Sequence, residues 1–141
     1  MRSDDLGRFV QAQDAGGTYV AALRELRAGR KTSHWMWFVF PQVAGLGHSS
    51  MAQAYAITSL EQAREYLAHP VLGPRLREST AAVLTRTDRT AEQIFGGIDA
   101  LKLRSSVTLF ARAAPDEPAF VAVLDAFYDG EADDRTVQLL R

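Results

Sequence analysis

Apolar residues recur along most of this chain at the three- and four-residue spacing of helices buried on one side. Leu6, Phe9 and Val10 share one side of a first short helix that Asp4 or Asp5 can cap. Gly16 and Gly17 break the pattern. A second helix is expected over 18–28, with Tyr19, Ala22, Leu23 and Leu26 buried and Gly29 as its left-handed stop. After a glycine- and serine-bearing loop over 43–50, a short helical piece is expected around 51–56. Ser59 and Gln62 then have the spacing of a capping box, ahead of Ala63, Tyr66 and Leu67. Pro70 stops that helix, and Pro74 fits the first turn of the next, over 72–85, with Leu72, Leu76, Thr80 and Val83 or Leu84 inward. Thr90 and Gln93 repeat the box before a single turn ended by Gly96 and Gly97. Asp99 is expected to cap a helix reaching Ala113. Phe120, Val121, Leu124, Phe127 and Tyr128 define a further amphipathic helix closed by Gly130, and Asp133 or Asp134 starts a last one through Leu140.

One stretch resists this reading. Residues 35–40, Trp-Met-Trp-Phe-Val-Phe, are apolar on both alternate faces, so they fit a short buried strand or about two turns of buried helix. Pro41 ends either form. The expected fold is therefore mainly α: a compact bundle of about seven helices, with one short strand at 35–40 as the alternative. A length of 141 residues fits one domain, spanning 1–141, with no linker that would divide it.

Composition removes several classes of function. With no cysteine there is no disulfide, thiolate metal site or cysteine nucleophile. The histidines show no zinc-ligand spacing, so neither a metal nor a cofactor is expected. No sustained apolar run follows the start and none could span a bilayer, which gives a cytoplasmic expectation with no membrane partner. Net charge of −1 and only two lysines argue against nucleic acid. Charge is uneven, however: residues 116–134 carry seven acids and no base, and Arg24, Arg27, Arg30 and Lys31 stand against the single acid Glu25. The sequence does not specify a protein partner.

The candidate chemistry gathers around the aromatic stretch. His34 can bind phosphate or move a proton near neutral pH. Trp35 and Trp37 can stack a planar ring, although core packing is the commoner fate of such residues. Free N–H groups at the Gly96–Gly97 helix start can hold an anion, with Asp99, Lys102 and Ser105 in the next turns and Arg30 on the cationic rim. There is no P-loop, GxGxxG fingerprint, GxSxG elbow or EF-hand loop.

The run from His34 to Gln42, followed by Gly45-Leu46-Gly47, resembles the uncharacterised bacterial family known as domain of unknown function 1810. The resemblance continues through Ser59-Leu60-Glu61-Gln62-Ala63, the stretch from His69 to Leu76, Ile94-Phe95-Gly96, Asp99, Lys102, Ser105-Ser106 and Thr108-Leu109-Phe110. It implies a small, mainly helical protein. Members are sometimes labelled calpastatin, a disordered inhibitor that the apolar periodicity of this chain does not match.

Tyr55 followed by Ser59-Leu60-Glu61 is also similar to the helix start of the NADAR family, linked to NAD and ADP-ribose chemistry. That resemblance implies a glycosidic role for Glu61. This chain has Gln62 where that family usually carries histidine. Together these features lead to an expected pocket for a small ADP-ribose-like nucleotide, with N-glycosidic hydrolysis. Glu61 and His34 would be catalytic. Trp35, Trp37, Gln42, Tyr55, Asp99, Lys102, Ser105 and Arg30 would bind the ligand. The alternative is a non-enzymatic interaction module whose aromatic stretch is core and whose acidic C-terminal face meets a partner.

Overall fold

Gly16 and Gly17 take left-handed backbone conformations, φ 60° and 71°, and so reverse the chain between α1 (Arg2–Asp14) and α2 (Thr18–Ala28). The computed structural model describes residues 2–141, with side chains from residue 6 onward. The expected cap at Asp4 or Asp5 lies outside the described side chains. Leu6 and Phe9 are buried as their spacing predicts, as are Tyr19, Ala22 and Leu26 on α2. Gly29, with φ 75°, donates to the carbonyls of Glu25 and Leu26 and ends α2.

The aromatic stretch is helical. It forms the single turn α3 (Met36–Val39), closed by the Val39 and Phe40 N–H groups on the carbonyls of Trp35 and Met36 at 3.2 and 3.0 Å. The strand alternative fails for a physical reason. A buried strand needs a neighbouring edge for its N–H and C=O groups, and the elements packed most closely on this turn are helices, α1 and the one over 72–84. Among the described residues, β-type pairing is confined to one parallel bridge between Val43 and Ile57. There the Ala44 N–H meets the Ile57 carbonyl at 2.8 Å and the Ile57 N–H meets the Gln42 carbonyl at 2.9 Å. The bridge clasps a loop containing the short helix α4 (Ser50–Ala54).

Beyond the clasp, α5 (Leu60–Ala68) starts on Ser59, whose hydroxyl accepts the Gln62 N–H at 3.1 Å. The Gln62 side chain accepts from Thr58 N–H instead of Ser59 N–H, so only half of the expected box forms there. At α7 (Ala91–Phe95) the Thr90–Gln93 box is complete. Between them, α6 (Leu72–Leu84) buries Leu72, Leu76, Thr80 and Val83.

The longest helix, α8 (Gly97–Ala113), carries the core. Residues 105–110 are buried all round it, as expected of a helix enclosed by others. It meets α5, α7, α9 (Pro118–Phe127) and α10 (Asp134–Leu139). Asp133 caps α10 by accepting the Thr136 N–H at 2.9 Å. The start of α8 departs from expectation. Gly96 is its N-cap, so Asp99 falls inside the first turn and its carboxylate is free for other partners.

Candidate functional site

Behind the aromatic turn lies Glu25, a carboxylate on the buried side of α2 and only 7% exposed. An isolated buried carboxylate is costly, and here hydrogen bonds offset that cost. One oxygen accepts the Thr32 N–H at 2.8 Å, the Ser33 N–H at 3.1 Å and the Trp35 indole N–H at 2.8 Å. The other accepts the Ser33 hydroxyl at 2.6 Å. Burial alone would push the carboxyl up, but the Ser33 hydroxyl, the Thr32 N–H and the Trp35 indole outweigh it and hold the group near about 2, below its ordinary 4.5. Glu25 therefore stays ionised and gathers residues 32–35 over the end of α2.

That turn places Lys31 and His34. The Lys31 N–H donates to the Ile94 carbonyl at 2.7 Å, which ties the turn to the end of α7. The Lys31 ammonium donates to the Ser33 carbonyl at 2.5 Å and pairs with Asp99 at 2.9 Å, its side chain only 7% exposed. It also stands 5.0 Å from the centre of the Trp35 ring. Lys102 reaches the same Asp99 at 3.7 Å and lies 5.1 Å from the centre of the Trp37 ring. Two cations thus share one carboxylate, which leaves a net positive charge.

A cleft of about 380 Å³ lies between the 31–37 segment and the start of α8. Lys31, His34, Trp37, Gly96, Gly97 and Asp99 are among its walls. On the other side of Met36 and Trp37 lies a narrow recess bounded by Gln42, Tyr55 and Lys102. Of the expected site residues, His34, Trp37 and Asp99 therefore meet in the cleft, and Gln42, Tyr55 and Lys102 meet in the recess behind Trp37. The others go elsewhere. Trp35 is 1% exposed and edge-on to Phe95, with ring centres 6.4 Å apart, so it is part of the core beneath the cleft. Ser105 is buried and donates to the Leu101 carbonyl at 3.2 Å. Arg30 is exposed and borders neither space. Glu61 is exposed in the first turn of α5 and borders neither.

Trp37 differs from Trp35 in one more respect. Its indole nitrogen is buried with no acceptor in the protein. An unpaired buried donor costs about 1–3 kcal/mol, so the position calls for an explanation. Two contributors escaped the sequence reading of the site, Glu25 and Lys31. The signal for Glu25 was present in its being the single acid among Arg24, Arg27, Arg30 and Lys31.

Fold and site together define an all-helical protein with a cation-lined cleft at the start of its central helix. The chain belongs to the family described as protein of unknown function (DUF1810), whose model matches residues 3–140. It is similar to a conserved hypothetical protein of Mycobacterium tuberculosis, Rv1873, known from a crystal structure. The two share 55% identity over 96% of each chain, with a TM-score of 0.93. No curated protein matches the chain. Among the described residues, no helix is long and apolar enough to cross a membrane, and no group of three or more His, Asp or Glu is placed to hold a metal ion.

Proposed function

We propose that the cleft between α3 and the start of α8 binds a small phosphate-bearing nucleotide of the ADP-ribose type. The observation that carries this is the start of α8 itself. Gly96 offers no side chain as a cap, and Gly96, Gly97 and Asp99 border the same space as Lys31, His34 and Trp37. First-turn N–H groups of a helix have no partner within it, and the helix dipole favours an anion beside them. The surplus positive charge of Lys31 and Lys102 over Asp99 adds to that preference. Trp37 supplies a ring edge for the base or ribose.

The reading is of binding alone. The carboxylate that the NADAR likeness assigns to glycosidic cleavage, Glu61, is not among the residues of the cleft, and Asp99 is engaged by two lysines. Calorimetry with ADP-ribose and with NAD tests the proposal on wild type, Lys102→Gln, Trp37→Ala and Glu61→Gln. Binding that is weakened in the first two variants and kept in Glu61→Gln is expected. No heat from wild type at millimolar ligand overturns it.

A further inference from the structure

We infer that Ile98 is the contact for the base in the cleft between α3 and the start of α8, so that the cleft takes nucleotides in preference to sugar phosphates. This rests on the cleft being a site for a phosphate-bearing ligand, as proposed above, and adds which wall meets which part of that ligand. Gly96 and Gly97 carry no side chain, so Ile98 is the first that α8 presents. It borders the cleft and is 74% exposed. A lone apolar side chain on an open surface needs no explanation. Ile98 stands instead on a concave wall, and ligand clefts are typically apolar with a few polar groups that fix orientation.

The walls divide in that way. Lys31, His34 and Asp99 are the charged or titratable members, and Met36, Trp37, Phe95 and Ile98 are the apolar ones. Met36 and Trp37 belong to α3 and Ile98 to α8, so apolar groups come from both sides of the space. Met36 and Phe95 are already buried in the core and Trp37 is half-buried, which leaves Ile98 as the exposed one of the four. A Cβ placed on Gly96 or Gly97 would meet nothing within 4 Å, so the approach to α8 beside Ile98 is open. Ribose hydroxyls and phosphate oxygens gain nothing by covering an isoleucine. A planar base offers it an apolar face, and the area taken from water favours the complex. Lys31 and His34 remain for the phosphate. Leu101, one turn further along α8 and 64% exposed, does not border the cleft and supplies the control.

The test is calorimetry with AMP and with ribose 5-phosphate, which differ only in whether the ribose carries adenine. Wild type is expected to bind AMP about tenfold more tightly than ribose 5-phosphate. Ile98→Asn should weaken AMP about fivefold or more and leave ribose 5-phosphate unchanged. Leu101→Asn should change neither. Both positions are exposed, so both variants should melt like wild type. Four results overturn the inference: a wild type with no preference for AMP, an unchanged AMP affinity in Ile98→Asn, an equal loss of both ligands in that variant, or self-association by light scattering that Ile98→Asn abolishes. Each of these leaves the cleft reading standing if wild type still binds ADP-ribose. A wild type that binds none of the three ligands overturns the cleft reading itself.

Discussion

The carboxylate of Glu25 accepts the indole N–H of Trp35 at 2.8 Å, and this bond joins the buried side of α2 to the aromatic turn ten residues later. The same carboxylate holds the backbone of Thr32 and Ser33. Lys31 and His34 reach the cleft because the chain between α2 and α3 is folded around one ionised group.

Removing that group should be costly. Glu25→Ala leaves buried donors without acceptors and is expected to cost about 3–5 kcal/mol, the range for breaking a buried charged network. Urea denaturation with an unchanged m-value is the measurement, and a loss below about 1 kcal/mol would contradict the role.

The same group sets an acid dependence. Its folded value near about 2 lies below the ordinary 4.5, so its contribution is complete above about 4.5 and is lost as pH falls towards about 2. The amount is on the order of 3 kcal/mol. Denaturation at pH 6, 4 and 3 should show wild type losing stability over this window more steeply than Glu25→Gln. Parallel losses would show that other groups dominate.

The two tryptophans should part company. Trp35→Ala, at a 1% exposed position, is expected to cost about 3–5 kcal/mol as a large core truncation. Trp37→Phe removes an unpaired indole N–H, so its melting temperature should stay within a few degrees of wild type or rise. Differential scanning calorimetry separates these outcomes, and a steep loss for Trp37→Phe would mean that its N–H has a partner.

Gly73, in the first turn of α6, packs its backbone against the end of α5. A Cβ there would stand 2.1 Å from the Leu67 carbonyl oxygen, which also accepts from Arg77 at 3.2 Å. Gly73→Ala must push the two helices apart, at a cost of about 1–3 kcal/mol or more as an overpacking change. A variant that melts like wild type would show that the α5–α6 junction yields freely.

Much of the fold was legible because it is written in local patterns. The limits of α2 follow from the apolar spacing and Gly29, and α7 from its capping box. Residues 35–40 were ambiguous because an all-apolar run has no period, and only the surrounding helices decide its form. Asp99 had the residue type of a cap, yet an N-cap is decided by backbone conformation, and Gly96 takes that place. In the candidate site, residue type singled out His34 and Trp37, which packing sets beside the cleft, and Lys102, which it sets in the recess behind Trp37. Convergence through space separated them from Glu61 and Arg30, since it depends on tertiary packing that no local window contains. Glu25 was hidden because its partners lie seven to ten residues away in a turn with no regular spacing.

The Val43–Ile57 bridge has a practical consequence. The chain is pinned at both ends of the 44–56 loop, and the second half of that loop is fastened to α1, where Arg8 donates to the Ala54 and Ala56 carbonyls at 2.7 and 2.9 Å and Phe9 meets Tyr55 with ring centres 5.6 Å apart. Loop-closure entropy rises by only about 0.6 kcal/mol for each doubling of length. Lengthening the loop at the Gly47–His48 junction, away from those contacts, therefore adds little closure entropy, which makes it a natural place to graft a reporter or an affinity tag.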